Sequence, residues 1–155
     1  ALAVRLVEVF SVRGYRVATI KHAHHNLRLD DDDTDSARHW RAGARQVAVV
    51  SSQRWALMTA DPGGPEIDFS DVIARLDPCD LIIVEGYKSQ PIPKIEARRQ
   101  ESAPGARLSE QDERVVAIAA DYDISDSPLP VFELDDVAKI ADFIVYSQRV
   151  RKAIA

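Results

Sequence analysis

The sequence is short of cysteine: Cys79 is the only one in 155 residues. A lone thiol closes no intrachain disulfide and completes no zinc-type thiolate set. Cys79 reads as an inert small apolar side chain, since no neighbour in sequence would activate it. Long hydrophobic runs are missing too, and nothing has the length of a membrane-spanning helix or the layout of a signal peptide. A reducing, cytoplasmic setting is expected. There is no excess of positive charge: Lys and Arg number 20 against 25 Asp and Glu, for a net charge of −5. Asp30, Asp31, Asp32, Asp33 and Asp35 supply a negative charge each, so the rest of the chain is balanced. Neither nucleic acid nor an anionic membrane is an expected partner. The phosphate-cradling pattern G-x-x-x-x-G-K-[ST] is absent, and so is an N-K-x-D motif that would fix base choice.

What is present suits one α/β domain, at 46% hydrophobic residues and a length that buries a sizeable core. Leu2, Leu6, Val9 and Phe10 share one face of a helix over Ala1 to Arg13, closed by Gly14. No capping residue or initiator Met precedes that helix. A helix feeding the parallel strand Arg16 to Ile20 implies a strand and a loop upstream. A short helix from Ser36 to Ala42 follows, capped by Thr34 or Asp35. The β-rich runs Gln46 to Ser51 and Arg54 to Thr59 suggest a hairpin, although its turn lacks glycine. Phe69, Val72, Ile73 and Leu76 give a helix face. Lys94 to Arg98 reads as an edge strand, Val115 to Asp121 as a buried strand, and Pro130 to Leu134 as a short last one. Val137, Ile140, Ala141 and Ile144 stripe the closing helix. Alternating helices and strands predict a mainly parallel sheet flanked by helices, with the hairpin added to it.

The centre of this pattern is Asp80-Leu81-Ile82-Ile83-Val84-Glu85-Gly86, an aliphatic run that reads as a strand buried on both faces and ends in a carboxylate. Ligands of parallel sheets sit at the carboxyl ends of their strands. Glu85 is therefore the candidate Mg²⁺ ligand beside a bound nucleotide, and Gly86 would let a bulky group approach the backbone. The plainer alternative is a surface carboxylate that closes a strand. Lys21-His22 and Asp121 end two other strands, and together the three ends offer a cation, a metal ligand and a hydrogen-bonding carboxylate. His22, His24 and His25 invite a transition-metal site, but polar loop residues are the better expectation without a completing ligand. The aspartate run reads as a solvated loop. Lys88 and Lys94 could reach phosphate, but a solvated face is the better expectation for either.

Ile20-Lys21-His22-Ala23-His24-His25-Asn26, Asp35-Ser36 with Arg41-Ala42-Gly43-Ala44, Ser52-Gln53-Arg54-Trp55-Ala56-Leu57-Met58, Leu81 to Lys88, and Pro93-Lys94-Ile95-Glu96 resemble, in order and spacing, the MobB family of adapters in molybdopterin-guanine dinucleotide biosynthesis. The resemblance spans nearly the whole chain. It implies a P-loop NTPase-like fold whose first strand and Walker A loop precede Ala1. It also implies GTP with Mg²⁺ as ligands, weak hydrolysis at most, a homodimer, and partnership with the molybdopterin guanylyltransferase and molybdopterin-bearing proteins. By the same resemblance Glu85 is the Walker B-type carboxylate, Lys21 and His22 lie near the phosphates, and Asp35 is the acidic start of the short helix. The Arg98-Arg99 region departs from the family pattern. Two other functions remain open: a P-loop metallochaperone GTPase, suggested by the histidines, and a non-enzymatic interaction module.

Overall fold

A computed structural model describes residues 1–23, 34–61, 63–102 and 107–152. The chain divides into two compact units, one made of Ala1–His22 with Ala74–Ala155 and the other of Ala23–Ile73.

The larger unit holds α1 (Leu2–Val12), β1 (Val17–Lys21), β4 (Leu81–Glu85), β5 (Lys94–Arg98), a 3-10 turn (Leu108–Glu110), β6 (Val115–Ala120), β7 (Val131–Glu133) and α4 (Val137–Ser147). The expected strands are all present and parallel, but their ladders form two sheets, β1-β4 and β5-β6-β7. Both contribute to one core. Leu6 and Phe10 of α1, Ala119 of β6, Leu134, and Val137, Ile140 and Ala141 of α4 are buried together, with Leu81, Ile83, Ile95, Phe132 and Ile144 packed against them. Phe10 is fully buried and meets Tyr15 edge-on at 5.4 Å. Burial of such a side chain contributes about 3 kcal/mol. Asp136 caps α4 by accepting the Lys139 N–H at 3.2 Å.

The burial of β4 differs from its expectation. Leu81 to Val84 are only half-buried and Glu85 is exposed, whereas β6 is buried at Val115 and from Ala117 to Ala120. β6 is the most buried strand because it has a partner on each side and helices over it, while β4 pairs with β1 alone among the described residues. An aliphatic run shows what a strand can bury, not what is there to cover it.

The smaller unit holds α2 (Asp35–Arg41), the antiparallel hairpin of β2 (Gln46–Val50) and β3 (Trp55–Thr59), and most of α3 (Phe69–Ala74). Thr34 caps α2 by accepting the Ala37 N–H at 3.2 Å. The hairpin closes without glycine because Ser51 replaces backbone freedom with side-chain bonding. Its Oγ donates to the Arg54 carbonyl at 2.9 Å and accepts the Arg54 N–H at 3.1 Å. Residues paired across the ladder share a face. Val47, opposite Met58, is buried, whereas Val50, Trp55 and Leu57 on the other face are 76%, 74% and 54% exposed.

Candidate functional site

β1 and β4 lie in register so that Lys21 stands opposite Glu85 at the carboxyl end of both strands. At the far end Asp80, with its side chain 3% exposed, accepts the Arg16 N–H at 2.7 Å and returns its own N–H to the Arg16 carbonyl at 2.8 Å. At the near end the ladder runs one residue further, where the His22 N–H donates to the Glu85 carbonyl at 2.9 Å. Bonds at both ends hold the register, and a slip of one residue would turn Glu85 to the opposite face.

Beyond Glu85 the backbone enters the left-handed region twice, at Gly86 (φ +88°) and Tyr87 (φ +51°). What approaches Gly86 within the chain is His22: a Cβ on Gly86 would lie 3.0 Å from the His22 Cβ and 3.2 Å from its carbonyl oxygen. A left-handed residue other than glycine costs roughly 1–2 kcal/mol. At Tyr87 an aromatic contact offsets this, because its ring stacks on the His22 imidazole with centroids 4.2 Å apart and planes inclined by 22°. Such pairs contribute about 0.5–1.5 kcal/mol.

The Glu85 carboxylate lies 3.8 Å from Lys21 Nζ, and the two side chains are 48% and 71% exposed. So loose and solvated a pair is worth about 0–1 kcal/mol, so either member can exchange the other for a ligand at small cost. No group of three or more His, Cys, Asp or Glu that could hold a metal ion occurs among the described residues. A single carboxylate fits a cation that takes most of its ligands from phosphate and water, which is the habit of Mg²⁺.

The structure thus brings together Lys21, His22, Glu85 and Gly86 of the expected site residues, and adds Tyr87. Asp121 ends β6 in the other parallel sheet, where its Oδ1 accepts the Gln100 N–H at 2.7 Å and its N–H donates to the Arg98 carbonyl at 3.3 Å. Asp35 belongs to the smaller unit, is exposed, and pairs with Arg38 at 3.1 Å. His24, His25 and the aspartates 30–33 lie outside the described residues.

Lys88 is exposed as expected, but Lys94 is not on a solvated face. Its side chain is 9% exposed, and Nζ donates to the Gln90 carbonyl at 2.6 Å, the Ile92 carbonyl at 3.3 Å and Asp112 Oδ2 at 2.8 Å. Three acceptors match the three donors of an ammonium, so its role is to pin the proline-bearing segment before β5. Glu96, part-buried, and Arg98, buried, form a second ion pair at 2.9 Å. Glu96 also accepts the Leu108 and Ser109 N–H groups, and Arg98 donates to Ser109 Oγ at 2.8 Å, which fastens the 3-10 turn to β5. Burial pushes the Glu96 carboxyl up, but the bonds from Arg98, Leu108 and Ser109 outweigh it and hold the group below the usual carboxylate range. Opposite charges two residues apart on a strand share a face, so this pair was visible in the sequence.

Residues 1–121 match the family model of MobB, described as molybdopterin guanine dinucleotide synthesis protein B. The chain belongs to the MobB family. A Haemophilus influenzae relative named molybdopterin-guanine dinucleotide biosynthesis adapter protein is 37% identical over 140 residues, which cover 90% of this chain and 77% of that one. An Escherichia coli relative of the same name is 36% identical over 143 residues, 91% of this chain and 81% of that one. Solved MobB structures share the fold. A crystal structure of molybdopterin-guanine biosynthesis protein B superposes with a TM-score of 0.71 at 22% identity, covering 94% of this chain and 90% of that one. The MobB homologue from Bacillus stearothermophilus gives 0.66 at 24% identity, with coverages of 97% and 89%. The strand ends that carry Lys21, His22, Glu85 and Tyr87 all fall within the matched MobB region.

Proposed function

We propose that this MobB-family chain is a cytoplasmic GTP-binding adapter in molybdopterin-guanine dinucleotide biosynthesis, which docks a molybdopterin guanylyltransferase and hydrolyses GTP weakly at most. The observation that carries the nucleotide part is the Glu85 carboxylate, half-exposed at the carboxyl end of β4 and loosely paired with Lys21 at 3.8 Å. Glu85 would hold Mg²⁺, and Lys21 would lie against phosphate once released from Glu85. The ion would supply neutralisation of phosphate charge. The adapter part rests on the names of the Haemophilus and Escherichia relatives.

The reading includes a strand and Walker A loop that precede Ala1. In its support, the two parallel sheets pack on one core and share no ladder bond among the described residues, as a sheet interrupted at one strand would. It also includes a homodimer. The hairpin face of Val50, Trp55 and Leu57 is apolar and exposed, and a symmetric pairing would cover the same patch on both copies.

Titration of the full-length protein with a fluorescent GTP analogue at varied Mg²⁺ tests the nucleotide site. Wild type should bind with a clear Mg²⁺ dependence, and Glu85→Gln, which keeps the shape and removes the charge, should lose it. Unchanged Mg²⁺ dependence in Glu85→Gln would refute the assignment.

A further inference from the structure

The turn after Glu85 is more constrained than a metal-binding carboxylate alone requires. It leaves the strand through two left-handed residues in succession, of which Gly86 adopts that backbone readily and Tyr87 does not. The Tyr87 ring lies almost flat on the His22 imidazole, 4.2 Å away. His22 is in turn the residue whose N–H extends the ladder onto the Glu85 carbonyl at 2.9 Å. The contacts close a circuit: Glu85 carbonyl, His22 main chain, His22 ring, Tyr87 ring, and back through Gly86 to Glu85. Gly86 lies so close against His22 that a Cβ there would sit 3.0 Å from the His22 Cβ, so the circuit has little slack. The Glu85 side chain, by contrast, has only Lys21 as a partner at 3.8 Å among the described residues. What fixes the carboxylate is therefore the backbone beneath it.

We propose that Tyr87 is a positioning residue for Glu85. Its ring, stacked on His22, holds the Glu85-Gly86 turn in the conformation that presents the carboxylate to a divalent cation at a nucleotide phosphate, without itself touching either ligand. The inference rests on the nucleotide-binding reading above. Removal of the ring takes away the contact that ties the Gly86-Tyr87 backbone to His22, whatever the φ preference of the residue that replaces it. The peptide between Gly86 and Tyr87 then relaxes, and the Glu85 carboxylate moves with it.

The test uses full-length protein and the fluorescent GTP analogue, with three readouts: the Mg²⁺ concentration for half-maximal binding, the affinity in EDTA, and Tm. Tyr87→Ala and Tyr87→Asn should raise the half-maximal Mg²⁺ concentration by about three- to tenfold, the factor an aromatic stack of ordinary strength represents. Affinity in EDTA should not change. Tyr87→Phe should restore the wild-type Mg²⁺ requirement, because stacking does not use the hydroxyl. Asparagine enters the left-handed region readily but has no ring to stack. Wild-type Mg²⁺ dependence in Tyr87→Asn would therefore overturn the proposal, and so would equal weakening with and without Mg²⁺, which marks general damage to the site. A wild type that binds no guanine nucleotide removes the parent reading and this inference together. A wild type that binds, beside an unaltered Tyr87→Asn, removes this inference alone.

Discussion

Gly86→Ala separates two costs that glycine hides, backbone conformation and close approach. Gly86 and Gly43 both have positive φ, +88° and +100°, but a Cβ at Gly43 meets nothing within 4 Å whereas one at Gly86 meets His22 at 3.0 and 3.2 Å. At Gly43 only the conformational penalty applies. It is roughly 1–2 kcal/mol, reduced by the smaller unfolded-state entropy of alanine, which leaves a net loss of about 1 kcal/mol. At Gly86 the same penalty is joined by overpacking. His22 cannot readily give way, since its N–H is bound to the Glu85 carbonyl and its ring is stacked on Tyr87. Overpacking adds about 1–2 kcal/mol, so Gly86→Ala should cost about 2–3 kcal/mol. Urea unfolding of both variants reads this as a shift in midpoint at constant slope. If Gly86→Ala proves no more destabilising than Gly43→Ala, the packing of the two strand ends against each other is wrong as described.

Arg98→Ala should cost about 2–3 kcal/mol, because it leaves the part-buried Glu96 carboxylate without its cation. The lowered Glu96 value gives a pH dependence as well: the stabilisation is present above the ordinary carboxylate range and is lost as pH falls through the lower folded value. Asp112, held down first by Lys94 and then by the Arg114 N–H, acts in the same direction. Urea midpoints should therefore fall on acidification below about pH 4, and less steeply in Glu96→Gln; an unchanged slope in that variant would remove Glu96 from the account. Trp55→Asp should shift the full-length protein from dimer to monomer in sedimentation without loss of the fold, and a dimer that persists would move the interface away from the hairpin.

The parts of the fold that could be read in advance are those where one residue type has one use. The stripe of α4 is buried at Val137, Ile140 and Ala141 as its spacing predicts, and Thr34 caps α2 as its position before the helix suggests. The hairpin was legible from β-rich runs, while the Ser51 bonds that close it were not, because serine turns bear no fixed spacing. Lys94 was misplaced on a solvated face for a physical reason: a charge marks the surface until every donor finds an acceptor, and two of the three acceptors here are carbonyls that no sequence displays. Lys21, His22 and Glu85 could be named as candidates that would lie together, since parallel sheets bind ligands at their strand ends, and the ladder does set them side by side. Tyr87 could not, because a left-handed tyrosine runs against its own propensity and is held there by a contact across the ladder.

The three acceptors around Lys94 make it a built-in clock for the segment before β5. An amine-directed acylating reagent needs the nitrogen exposed and released from its bonds, a condition that Lys21 and Lys88 meet on the surface and Lys94 does not. Lys94 becomes accessible when its bonds to Asp112 and to the Gln90 and Ile92 carbonyls open. Its labelling rate, read by mass spectrometry against Lys88 in the same molecule, therefore times that opening directly. Covalent chemistry on one part-buried, fully bonded amine would report how often this part of the protein breathes, under native conditions and with no denaturant present.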